Sequence, residues 1–167
     1  LLTGQVGSWI LTNPEGIPRT EIISWQDYHY STIFEEVGKR VFPFGFDLKN
    51  RRILGNGNED WPGCPWKGFA SELCLRDSSE KILFHSLLSW VAWSLTGFKA
   101  HKIHNSDAAA TGMLMIPELK WHEISNEFNH AVLPEVLNDV GIIGELYSTA
   151  VPIYVGIGDQ QTSTLGV

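Results

Sequence analysis

An α/β fold is predicted by the order in which three kinds of segment follow one another. A stretch rich in Val, Trp, Ile and Leu at residues 5–12 turns through "NPEGIPRT" and resumes as "EIISW". Helix-like apolar segments fill the middle of the chain. Near the end, "VPIYVGIGDQQTSTLG" passes from an apolar strand through two glycines into a polar stretch that can open a helix. An antiparallel hairpin, then helices, then a buried strand of parallel type feeding a helix is an α/β or mixed arrangement.

Taken in order, residues 5–12 suit a pleated, half-buried surface. Asn13-Pro14 and Gly16 supply turn chemistry, so the first two runs read as a hairpin with a fairly long loop. Residues 30–37 read as a short helix ending near Gly38. Residues 42–67 are rich in Gly, Pro and Asn and read mostly as loop. "FASELCLRD" reads as a short helix. Residues 82–95 read as the main helix, with Gly97 as its stop. "SDAAATGMLMI" is rich in small side chains, which permit close packing or a ligand wall. Residues 121–131 read as a second helix, with Pro134 beyond. "GIIGEL" reads as a short strand or turn. Residues 151–156 read as a buried strand, and Asp159 fits the N-cap of a final helix.

The 167 residues match one domain, or a piece of a larger one. A 43% hydrophobic and 19% charged composition describes a globular chain with a core. The net charge of −7 has no compensating Lys/Arg cluster, which argues against a nucleic-acid or anionic-membrane surface. Cys64 and Cys74 read as thiols in a reducing, cytoplasmic setting. "ILFHSLLSWVAWSLTGF" is interrupted by His85, Ser86, Ser89 and Ser94, so a buried helix is expected and not a membrane span. The chain begins at Leu1 inside what reads as a strand and stops inside what reads as a helix. A piece of a longer protein is the expectation.

The segment "GIGDQQ" carries the candidate chemistry. In open α/β sheets, ligands bind beyond the carboxyl ends of strands. Gly156 and Gly158 leave room there for a substrate or a phosphate. Asp159 can act as a general base on an alcohol, and Gln160 can donate and accept hydrogen bonds to hydroxyls. Asp159 read more plainly is a helix cap, worth about 1 kcal/mol.

"GIGDQQTSTLG" resembles the segment that carries the catalytic aspartate in the FGGY family of carbohydrate kinases. "LTGQVGSWILTNPEGIPRTEIISWQD" resembles that family's early block, in which a Gly-Gln-x-x-Gly strand, a turn and a Trp-Gln-Asp strand follow one another. "SLLSWVAWSLTG", "SDAAATGML" and "KWHEISNEF" with "LPEV" and "VGIIGEL" resemble its later blocks, in family order and across nearly the whole chain. The resemblance implies an actin-like, ribonuclease-H-like sugar kinase N-terminal domain, incomplete in its first strands. Residues 1–167 would be part of the sugar-binding domain, with the ATP-binding C-terminal domain absent. It implies phosphorylation of a sugar or polyol hydroxyl by ATP with Mg²⁺, Asp159 acting as the base and touching the metal only through water.

The resemblance also implies that Trp25 packs on the substrate's carbon skeleton, although a core tryptophan reads as readily from the sequence. Asp27 either lines the pocket or holds its loop. Gln5, Val6 and Gly7 match a block that places side chains on substrate hydroxyls. Val6 and Gly7 depart from it, since relatives carry polar pairs there and hydroxyl recognition would fall to backbone, water or Ser8. Ile103-His104 stands where relatives have Thr-Asp, and Asp107 matches a family aspartate of undecided role. "HKIH" is a weak zinc signal. His85, Trp90 and Trp93 read as core. The Asp-x-Gly-Thr hairpin that approaches the ATP phosphates does not occur in the sequence. The fragment itself is expected to be inactive, and an unpaired edge with an exposed apolar face leaves a homodimer open. The competing reading is a degenerate, non-catalytic sugar- or partner-binding module of the same fold.

Overall fold

The computed structural model describes residues 2–33, 61–76, 79–115, 118–121 and 130–165. In chain order the elements are β1 (Thr3–Gly4), β2 (Trp9–Thr12), α1 (His29–Ile33), α2 (Pro65–Leu75), β3 (Ile82–Ser86), α3 (Leu87–Leu95), β4 (Lys102–His104) and α4 (Asn105–Ala109). Then come β5 (Leu114–Met115), β6 (Lys120–Trp121), β7 (Ala131–Val132), β8 (Glu135–Leu137), β9 (Ile142–Glu145), β10 (Pro152–Tyr154), β11 (Ile157–Gly158) and α5 (Asp159–Leu165).

The core is built on β2 and β3, which pair antiparallel with Trp9 opposite Ser86 and Thr12 opposite Leu83. β7 joins the other side of β3 in parallel. Every residue of β2 and β3 is buried. Strands covered on both faces carry continuous apolar runs in place of alternation. Helix α2 lies on this pair, and Trp9, Phe69, Leu73 and Phe84 share one apolar cluster. The contact is close: a Cβ at Gly68 would stand 2.1 Å from the Trp9 ring. Helix α1 is tied to α2 by the Tyr30 hydroxyl, which donates to Glu72 at 2.6 Å.

On α3, Ala92 packs with Ala100, Ile143 and Val155. A third cluster gathers Ile103, Ala108 and Leu114 around α4. Of the remaining pairs, β4 with β8 and β1 with β11 are parallel, and β5 with β6 and β9 with β10 are antiparallel.

The structure departs from the sequence expectations in several places. The helix expected at 82–95 is a strand followed by a helix. Ser86 ends β3 and caps α3, its Oγ accepting from the Ser89 N–H at 3.1 Å. The N-terminal hairpin forms through two bridges, Trp9 with Ile23 and Thr12 with Pro18, not as a full second strand. Trp9 and Leu11 bond residues 19–23 on one edge of β2, and β3 pairs along the other. Residues 5–12 are not one strand, because Gly7 takes φ +86° between β1 and β2.

The stretch 151–156 is not the buried strand. β10 pairs antiparallel with β9 and is largely exposed, whereas the buried parallel strand is β11, two residues further on. Asp159 is the first residue of α5, one position inside the expected cap. Trp121 and Ala131, expected to bound a helix, lie in strands, and 122–129 fall outside the described residues. Helix α2 begins at Pro65, inside the span expected as loop, while 42–60 and the helix end at 34–37 also fall outside the described residues. Trp93 is buried as expected, and Trp90 only partly. No disulfide joins Cys64 to Cys74. No described helix is long and apolar enough to cross a membrane.

Candidate functional site

The parallel pairing of β1 and β11 sets Thr3 beside Ile157 and Gly4 beside Gly158. Strands that run in the same direction end at the same edge. Gln5, Val6 and Gly7 therefore leave β1 next to the point where Asp159 leaves β11. The junction is closely packed: a Cβ at Gly158 would lie 2.6 Å from Val6 Cγ1 and 2.4 Å from Gln161 Oε1. The Thr162 hydroxyl donates to the Gly158 carbonyl at 2.7 Å, which leaves Thr3 to donate in the 2.7 Å contact between the Thr3 and Thr162 hydroxyls. These bonds hold the first turn of α5 against β1. Asp159 itself is exposed, and its carbonyl accepts from Ser163 Oγ at 2.9 Å.

Trp25 joins this edge through Gly7. A Cβ at Gly7 would meet the Trp61 ring at 2.5 Å and Trp25 Cβ at 3.3 Å. Trp25 and Trp61 are both half-buried and their rings lie 5.2 Å apart, tilted by 48°. Asp27 accepts from the His29 N–H at 2.9 Å through Oδ1, and its own N–H donates to the Ser24 carbonyl at 2.9 Å. Its carboxylate thus holds the turn that starts α1. Ser8 is buried, and its carbonyl accepts from Leu87 N at 2.9 Å.

Asp107 is 1% exposed and takes a short hydrogen bond from the Ser86 hydroxyl. Its Oδ1 has no hydrogen-bond partner among the described residues. Burial pushes its carboxyl up to about 7, against the opposing hydrogen bond from Ser86. Asp107 sits on α4, which packs against β4, β5 and β11.

The histidines of "HKIH" serve the fold separately. His101 Nε2 donates to the Phe84 carbonyl at 2.9 Å. His104 Nδ1 accepts from Ser106 N at 3.2 Å and caps α4. Among the described residues no three His, Cys, Asp or Glu side chains gather closely enough to hold a metal ion.

A cavity of ≈ 410 Å³ opens beside α5. It is lined by His104, Asn138, Asp139, Val140, Ile157, Gln161 and Thr164, and Trp25 is not among them. Sequence reasoning missed residues 138–140, which follow β8 with no motif of their own. The signal available was structural, since His104 ends β4 opposite Leu137, the last residue of β8, and Asn138 follows at the same edge.

The fold is shared with solved sugar kinases. The chain superposes on Plasmodium falciparum glycerol kinase with ADP at a TM-score of 0.74 and 20% identity, covering 98% of this chain and 34% of that one. Ligand-bound xylulose kinase from Lactobacillus acidophilus gives a TM-score of 0.74 at 19% identity, covering 98% and 35%. The fold is thus the actin-like, ribonuclease-H-like α/β architecture of those kinases. In sequence the chain is a relative of glycerol kinases. It is 35% identical to glycerol kinase of Ligilactobacillus salivarius over 99% of this chain and 34% of that protein. The chain spans about a third of the length of the curated relatives it matches. No protein-family profile matches it.

Proposed function

We propose that the chain is the sugar-binding part of an FGGY carbohydrate kinase, a cytoplasmic enzyme that moves the γ-phosphoryl group of ATP to a hydroxyl of a sugar or polyol. In this reading residues 1–167 belong to the N-terminal domain, and the ATP-binding domain lies outside them. The observation that carries the reading is the parallel β1–β11 pair, because it puts Gln5, Val6, Gly7 and an exposed Asp159 at one strand edge within a fold shared with sugar kinases.

Asp159 takes the proton of the substrate hydroxyl as its oxygen attacks the γ-phosphorus in line. ATP with Mg²⁺ supplies the phosphoryl group and neutralises its charge, so the protein contributes mainly positioning and a base. The described residues do not form a metal site by themselves. In this reading Asp159 makes no direct bond to the ion and meets it only through water. Gln160 follows Asp159 on α5 and is assigned to the substrate hydroxyls. Trp25 offers an indole face to the carbon skeleton.

The test is Asp159→Asn in the full-length protein that carries this chain. Polyol-dependent ADP release should fall by about 10²–10⁴-fold, with polyol affinity and the unfolding midpoint little changed. Turnover equal to that of the unmodified protein rejects Asp159 as the base. The Val6-Gly7 pair, which brings no polar side chain to this edge, favours a second reading, a binding module without phosphoryl transfer. That reading predicts polyol binding with no ADP release in the unmodified protein.

A further inference from the structure

Gly7 has a feature that substrate contact alone does not explain. Its φ of +86° lies in the left-handed region, where an L side chain is strained. A side chain there would also enter the Trp61 indole, with the ideal Cβ 2.5 Å from Cζ3 and 3.2 Å from Cε3. The Trp61 ring therefore lies against the Gly7 backbone, in the space a side chain at position 7 would need.

Trp61 is held there from several directions. Its carbonyl accepts from Cys64 N at 3.1 Å. Gly63 N donates to the Trp25 carbonyl at 2.9 Å, and the Gly63 carbonyl accepts from Trp9 Nε1 at 3.3 Å. A Cβ at Gly63 would sit 1.9 Å from the Ser24 carbonyl oxygen, so the backbone at 63 lies directly on that at 24–25. The two indoles are thus presented as a fixed, tilted pair, each still partly open to solvent.

We infer that Trp61 is a specificity-determining residue that builds, with Trp25, an aromatic wall for the carbon skeleton of a neutral sugar or polyol. The inference rests on the sugar-kinase reading. Indole faces are electron-rich and attract the slightly positive C–H groups of a carbohydrate. Val6 and Gly7 offer no side-chain donor or acceptor, so the end of the substrate on this wall is recognised by shape and C–H contact. Its hydroxyls are read elsewhere, by Asp159 and Gln5 and by backbone groups. A hydroxyl at the wall end adds little affinity, and the loss of a ring costs much.

The experiment is calorimetric titration of the full-length protein with glycerol and with xylulose, before and after substitution. Trp61→Leu should weaken binding roughly tenfold, and Trp61→Phe by less than about threefold, since a smaller aromatic face keeps part of the contact. The melting temperature of both variants should stay near that of the parent. Parent-like affinity in a folded Trp61→Leu protein overturns the wall and leaves the sugar reading intact. Binding of neither compound by the parent overturns both. If Trp61→Leu does not fold, 5-fluorotryptophan labelling decides the matter. The fluorine signal assigned by Trp61→Phe must move when the bound polyol is added, and an unmoved signal overturns the proposal.

Discussion

Asp107 is a carboxyl group sealed inside the fold with one hydrogen bond, from Ser86, and one oxygen without a partner among the described residues. Unfolded, it releases its proton near 3.8; folded, burial delays that release to about 7. Between these values the unfolded state binds fewer protons, so this group's contribution to stability falls as pH rises through the window and is flat above it. His85 pulls the other way. It is fully buried, accepts or donates at 2.9 Å with Thr12 Oγ1, and its pKa is lowered to about 2 by burial and then by His101. Its unfolded form takes a proton below about 6.5, so its stability contribution is lost as pH falls through that value. The wild-type pH curve mixes the two effects, and Asp107→Asn separates them. Asn keeps an acceptor for Ser86 and cannot ionise. Relative to the parent, the variant should gain on the order of 4 kcal/mol between pH 4 and pH 8, read from urea unfolding at both values. A difference that does not change with pH removes the buried-acid account.

At the scale of elements, the α2–β2 contact decides whether the core closes. Gly68 lets the helix lie on Trp9, and a methyl group there meets the ring at 2.1 Å. The ring cannot swing away freely, because Trp9 Nε1 is bonded to the Gly63 carbonyl and its face meets Tyr30 and Phe84. Gly68→Ala should therefore cost about 1–3 kcal/mol by overpacking, although Ala is the better helix former. Chemical denaturation checks this, and a stabilised variant would mean that the helix backs off at no cost. The same core explains which elements were legible in advance. The apolar run 82–95 contains a strand buried on both faces and then a helix, and both read as continuous hydrophobic sequence. Ser86, three residues before Ser89, was the one local mark of the boundary, a cap lying inside the run. The edge at 151–156 misled for the opposite reason. Val151, Pro152 and Tyr154 look like core by composition yet are exposed on the β9–β10 pair. The β11–α5 edge proposed for the site was legible because its signal is a change of chemistry, from apolar strand to glycine to acid, and does not depend on periodicity. Trp61 was not legible, since only the fold brings it against Gly7.

At the scale of the whole molecule, the proposed reading gives the chain one side of a reaction that needs two. In that reading Asp159, Trp25 and the β1 edge serve the acceptor. The sequence contains no Asp-x-Gly-Thr hairpin for the phosphates of the donor, and the described residues gather no metal-ligating cluster. A chain covering about a third of each relative should accordingly separate binding from turnover. We expect the isolated 167-residue chain to bind glycerol or xylulose in a calorimetric titration, to give no heat with ADP, and to release no ADP from ATP in a coupled assay. The longer protein should bind the acceptor, give heat with ADP and release ADP from ATP, because phosphoryl transfer requires both substrates positioned in one closed site. Polyol-dependent ADP release by the isolated chain would mean that donor and acceptor are both held within these residues. The division of labour proposed for the two halves would then be wrong.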